Sequence, residues 1–248
     1  MVARSELEPF RLATATLSQL VRDVLEDFFR SLDLTKPEEA RDALLEFVPV
    51  LTDQYGAVAA TMAAEFYEEL RAASGAAGRF TAVTAASVPT EAVAANVRFL
   101  AGHLWTPNPL DMLGALQISA DKYVKAPGRE TMRSNAKREG VRYARVPIGE
   151  KTCAFCLMLA SRDAIYFTKE SAGDINDSGF GDGFHGFCDC AVVRIAKKSD
   201  YPEGYLPDNY YAMYMDARKA AGSGNTRDIT AAARRLFPDA LSDGVHEH

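Results

Sequence analysis

Leu17, Leu20, Val21, Val24, Leu25, Phe28 and Leu32 recur at spacings of three and four, so residues 7–33 carry one apolar helical face. Thr35, followed by Pro37 and Glu38, has the form of a capping box, in which side chains satisfy the first backbone donors of a second helix. Ala40, Leu44, Phe47, Val48 and Leu51 continue that helix, and Ala59, Met62, Ala63, Phe66 and Leu70 mark a third over 54–73, ending at Ser74-Gly75. The small, polar stretch 74–89 closes on Pro89 and is expected to be a linker or mobile hinge. Thr90 and Glu91 open a fourth helix through Val93, Val97, Leu100 and Leu104. Asn108-Pro109 reads as the cap and first turn of a fifth, which Pro127-Gly128 is expected to stop near residue 125, and a short sixth covers 129–138.

The period changes after Gly140. Val141 and Tyr143 alternate with Arg142 and Ala144, which predicts a short strand, and Ala191 to Ile195 predict a second. Between them lie the cysteines and a Gly/Asp/Ser-rich loop over 171–183. Asp208 and Thr226 open two last helices, over 210–220 and 229–237, and residues 242–248 are expected to fray. The expected fold class is mainly α with a small α+β C-terminal module. Its domains read as a helical N-terminal region over 1–139, an α+β module over 140–200 and a helical tail over 201–248.

A chain of 248 residues with 48% hydrophobic content buries a core without help from a metal. Its net charge of −6 is unevenly spread. Residues 107–150 hold 8 Lys and Arg against 5 Asp and Glu, whereas 1–106 hold 9 against 15 and 151–248 hold 11 against 14. The N-terminus lacks the basic-then-apolar pattern of a signal peptide, and no run approaches the roughly 18 apolar residues of a membrane span. The expectation is a chain made and kept in a reducing, cytosol-like compartment, without a membrane-spanning segment.

All four cysteines fall within 38 positions, from Cys153 to Cys190. Cys153 and Cys156 form a C-x-x-C pair, and His185, Cys188 and Cys190 form H-x-x-C-x-C. A C-x-x-C turn aims two thiolates at one ion, and a second pair completes the tetrahedron of a closed zinc site. Five candidates compete for four places: Cys188 with Cys190 gives an all-thiolate set, and His185 with Cys188 gives one imidazole among three thiolates. The 28 residues between Cys156 and His185 exceed the spacing of compact fingers, but loop entropy grows slowly with length. Clustering in a reducing compartment favours structural zinc over disulfides or core thiols. A zinc-dependent or thiol enzyme acting on nucleic acid is the rival reading. The zinc-deaminase order, with its H-x-E preceding the cysteine pair, is absent, and no thioredoxin-like pattern surrounds the C-x-x-C.

Lys122, Lys125, Arg129, Arg133 and Lys137 fall at helical spacing, and Arg138, Arg142 and Arg145 extend the basic region. The stripe is a candidate contact for DNA or an acidic partner, set against an ordinary solvated face and interrupted by the expected break at Pro127-Gly128. Trp105 at a helix end is expected to anchor a core, and Tyr201, Tyr205, Tyr210, Tyr211 and Tyr214 to pack.

The run GRETMRSNAKREGVRYARVPIGEKTCAFCLMLASRDAIYF, followed by FHGFCDCAVV, is similar to the minor capsid proteins of actinobacterial tailed phages. It resembles, more distantly, the Mu F-like head morphogenesis proteins, whose C-x-x-C and H-x-x-C-x-C elements stand in the same order. The resemblance covers about residues 125–196. It implies a low-copy, non-enzymatic virion component, assembled in the host cytoplasm and residing inside the capsid or near the portal. The implied partners are portal, scaffold or major capsid protein, together with packaged DNA. Cys153, Cys156, His185, Cys188 and Cys190 match the family's metal-like motif, and the resemblance supplies no catalytic residue.

Overall fold

The computed structural model describes residues 4–149, 151–162 and 190–242. Helix α1 (Arg4–Arg30) buries Leu7, Leu17, Val21, Leu25 and Phe29 along one stripe, while Leu20, expected on that stripe, is exposed. The capping box does not form. Both the amide and the hydroxyl of Thr35 donate to Asp33 Oδ1, at 3.1 and 2.6 Å, so Thr35 closes the preceding turn instead. Helix α2 (Pro37–Ala73) then starts with Pro37 in its first turn and no side-chain cap.

The expected second and third helices are one helix of 37 residues. Pro49 lies inside it, and the Thr52 hydroxyl donates to the carbonyls of Val48 and Pro49 at 3.0 and 3.1 Å. Helix α3 (Thr90–Leu100) follows as expected, but it ends before Leu104, which lies in a 3₁₀ turn (Ala101–Trp105). Helix α4 (Asp111–Glu139) overturns a second expected break, because it runs through Pro127-Gly128. It opens after Leu110 rather than at Asn108, whose side chain bonds Asp111.

Close contact between α2 and α4 explains why Pro127-Gly128 does not end the helix. A Cβ added to Gly128 would stand 2.9 Å from the Ala59 carbonyl oxygen, and one added to Gly56 would stand 3.2 Å from Pro127 Cγ. The helices thus touch backbone to backbone at a patch of small residues, and that packing offsets the hydrogen bond lost at proline. Gly140, at φ 75°, closes α4 with the backbone donors of Gly140 and Val141 returning to Lys137 and Ala136.

The stretch 74–89 forms neither helix nor strand, as its composition predicts, but it is bonded along α2 and α4. The amides of Ala82, Val83 and Ala85 donate to Glu68, Asn135 and Thr131 at 2.8–2.9 Å, and the Asn135 side chain returns a bond to the Val83 carbonyl. It is a strap rather than a spacer.

Strand β1 (Arg142–Pro147) pairs antiparallel with β3 (Cys190–Ile195), from Arg142 opposite Ile195 to Pro147 opposite Cys190. Every β3 residue is buried, so both faces of this small sheet are covered. Its core takes Leu7, Ala63, Phe66, Leu70 and Met132 from the helices, so packing crosses the expected boundary at 139/140. Two short elements were not expected: β2 (Thr152–Cys153) and α5 (Ala154–Ala160). Helices α6 (Pro207–Ala221) and α7 (Thr226–Leu236) lead to β4 (Leu241–Ser242), which pairs parallel with β2. A separate core of Leu157, Ala217, Ile229, Ala232 and Leu241 joins these C-terminal elements.

Candidate metal centre

Cys153 ends β2 and caps α5, and its Sγ accepts the Cys156 backbone N–H at 3.2 Å. The Cys153 sulfur takes the place that a serine or aspartate oxygen fills at most helix N-termini, which is why the C-x-x-C signal hid a helix start. Cys156 sits in the first turn of α5 and is wholly buried, with Cys153 2% and Cys190 4% exposed. Cys190 opens β3 beside Pro147, and all three cysteines belong to the core beneath the sheet. His185 and Cys188 lie outside the described residues.

Among the described residues no group of three or more His, Cys, Asp or Glu is arranged to hold a metal ion. Three cysteines sharing a core are therefore not yet a coordination sphere. The residues present nevertheless suit a thiolate-rich metal in two respects. The pair is buried, as in a closed site, and a backbone N–H already points at one sulfur, a contact that favours a charged sulfur there. Tyr205, in the same core, holds the C-terminal end of α5, its hydroxyl donating to the Ala160 carbonyl at 2.9 Å.

The basic stripe lies on one unbroken helix, but much of it faces inward. Lys125 pairs with Asp121 at 2.9 Å, and burial of Asp121 is outweighed by Lys125, which holds that carboxyl below its usual range. Arg129 and Arg133 are 7% and 6% exposed, and Arg133 pairs with Glu130. Lys122 is half-buried; only Lys137, Arg138 and Arg142 are exposed.

One polar cluster escaped the sequence reading. Glu139, the last residue of α4, accepts from Tyr67 Oη at 2.5 Å, Arg71 Nε at 3.1 Å and Arg194 Nε and Nη2 at 2.6 Å. Arg194 also reaches Ser74 Oγ and Asp200. Burial opposes ionisation of Glu139, but the bonds from Arg194 and Tyr67 prevail and hold its carboxyl below the usual range. Burial and the same carboxylate push the Tyr67 phenol upward. Nothing in the spacing of residues 67, 139 and 194 announces this meeting.

The model of the VG15 protein family matches residues 1–217, from α1 well into α6 and across all five candidate ligands. The chain belongs to the VG15 family. This VG15-family protein is also similar to the gene 15 protein of Mycobacterium phage D29, at 30% identity over 38% of this chain. The match spans 46% of that relative's length, under half of it. No solved structure matches the chain. The resemblance to phage proteins thus stands at the level of a phage protein family, and no described helix is long and apolar enough to cross a membrane.

Proposed function

We propose that this VG15-family protein is a minor capsid or head morphogenesis protein of a tailed phage, a non-enzymatic structural component inside the head or beside the portal. The observation that carries the reading is the family match over most of the chain, together with its mycobacteriophage relative. The partners proposed are portal, scaffold or major capsid protein. Mass spectrometry of purified particles of the encoding phage tests it: the polypeptide is expected at low copy, and particles lacking it would overturn the reading.

The cysteines supply the second half of the proposal, a structural zinc clasp. Cys153 and Cys156 hold the ion with two of His185, Cys188 and Cys190, and the burial of Cys190 in the same core supports its inclusion. Zinc there would supply closure rather than chemistry, fixing the start of α5 to the strand pair. Because such binding is coupled to folding, Cys156→Ser is expected to abolish stoichiometric zinc and to lower the melting temperature. Chelator should lower that of the parent protein and leave the variant unmoved. Protein purified without chelator that carries far less than one zinc would sink the clasp.

A further inference from the structure

The fold gathers cations at the end of the molecule where α2 and α4 finish. The strap contributes Arg79, α4 contributes Lys137 and Arg138, β1 contributes Arg142, and the segment after β3 contributes Lys197 and Lys198, all six exposed. Side-chain contacts hold these segments together. Arg138 donates to the Thr81 carbonyl and lies 4.9 Å from the Phe80 ring centre, with Arg71 5.3 Å from the same ring. Lys197 Nζ reaches the Ser74 carbonyl at 2.6 Å.

Two carboxylates at this end, Glu139 and Asp200, are turned inward. Glu139 is engaged by Tyr67, Arg71 and Arg194, and Asp200 accepts from Arg194 and from the amides of Ala196 and Lys197. Glu68, which accepts the Ala82 amide, stays exposed, as do Glu69 and Glu203, so these three exposed carboxylates stand against the six cations. By contrast, the partners of Arg138 and Lys197 given above are carbonyl oxygens and a ring, which orient a cation without neutralising it. Complementing the α4 dipole would account for Lys137 and Arg138. It does not account for Arg79, Arg142, Lys197 and Lys198, which come from other segments. A positive face on a chain of net charge −6 is a feature of placement, and it suits a regularly spaced polyanion.

We infer that this end is a docking surface for the phosphate backbone of duplex DNA, with Arg79, Lys137, Arg138, Arg142, Lys197 and Lys198 as its phosphate contacts. The choice of DNA among polyanions rests on the head-protein reading. The surface differs from the sequence stripe, whose Lys125, Arg129 and Arg133 face inward. Binding is expected to be indifferent to sequence and steeply dependent on salt, since each neutralised phosphate releases counterions.

The test is fluorescence anisotropy of the full chain with a labelled 30-base-pair duplex from 50 to 200 mM salt. Six contacts predict a loss of affinity of about a thousandfold over that range. The triple variant Arg79→Gln, Lys137→Gln, Lys198→Gln removes side chains that bond no other side chain among the described residues, and should reduce the log–log salt slope by about 0.9 per substitution. The control Arg30→Gln, Lys36→Gln, Arg41→Gln removes equal charge around the start of α2, whose residue 41 lies about 45 Å from residue 71 at 1.5 Å per residue. It should keep the parent slope. No binding by the parent at 50 mM salt, an unchanged slope in the triple variant, equal loss in the control, or tighter binding to phosphatidylserine vesicles than to duplex would each overturn the inference. Virions lacking the polypeptide would remove the head reading while leaving duplex binding as measured, so the two failures are distinguishable.

Discussion

Leu44 and Arg194 are both hidden from solvent, at 0% and 3% exposure, yet opposite forces keep them there. Leu44 belongs to a core of aliphatic side chains from α1 to α4, in which each residue gains by leaving water and any neighbour of suitable size serves. Arg194 is a charge taken out of water, tolerable only because Glu139 meets it at two atoms and Asp200 and Ser74 take the third nitrogen. That pairing joins the last residue of α4 to β3, 55 positions on. The helical half is thus specified by repeated local spacing, whereas the sheet, besides its apolar packing on Leu7, Phe66, Leu70 and Met132, is tied to α4 by a few polar contacts between distant residues.

The comparison breaks most visibly at Glu139. Glu139→Ala leaves the Arg194 guanidinium buried beside a hole, a change worth about 3–5 kcal/mol when one partner of a buried pair is lost. The lower end is expected, since Glu139 keeps 11% side-chain exposure. Leu44→Ala should cost about 2–5 kcal/mol through its cavity, so size alone does not separate the two cores. Acid does. The folded Glu139 carboxyl lies below its ordinary 4.5, so its contribution is complete above that value and is lost as pH falls through the folded pKa. Urea titrations below pH 4.5 should show Leu44→Ala tracking the parent's decline and Glu139→Gln declining less. Parallel acid profiles in all three would remove the distinction.

Gly128 tests the helical core from the side of crowding. Alanine is the better helix former by about 1 kcal/mol, but its Cβ would stand 2.9 Å from the Ala59 carbonyl, which belongs to backbone and cannot rotate away. Overpacking of this kind costs about 1–3 kcal/mol, so Gly128→Ala should be destabilising by thermal denaturation despite its propensity. A raised melting temperature would mean that α2 and α4 do not touch here.

These contrasts explain how much was legible beforehand. Apolar spacing placed α1 and α3, the opening residues Asp208 and Thr226 placed α6 and α7, and alternation placed β1, because each signal is local in sequence. Pro127 misled, since a proline reports only the bond it removes locally, and packing of α2 on α4 is non-local. Cys153 and Cys156 announced themselves, but β2 and α5 did not: they span two and seven residues, and the cap is a sulfur. Arg129 and Arg133 looked like a solvated stripe because charge says nothing about what lies opposite. The Glu139 cluster left no trace in any window, since its members come from α2, α4 and β3.

Trp105 gives the smallest expected effect and a clean check on the helical core's limits. Size and position at a helix end suggested an anchor, but the indole is 50% exposed, with the Arg41 guanidinium 6.0 Å from its ring centre. A core tryptophan replaced by alanine costs about 3–5 kcal/mol, whereas an exposed cation–π contact is worth about 0.5–1. Trp105→Ala is therefore expected to shift stability by no more than the smaller figure, and by much the same amount as Arg41→Gln. If each substitution removes the same contact, the double variant should lose little beyond either single one. A loss of several kcal/mol from Trp105→Ala alone would place the indole inside the aliphatic core and move that core's edge past the 3₁₀ turn.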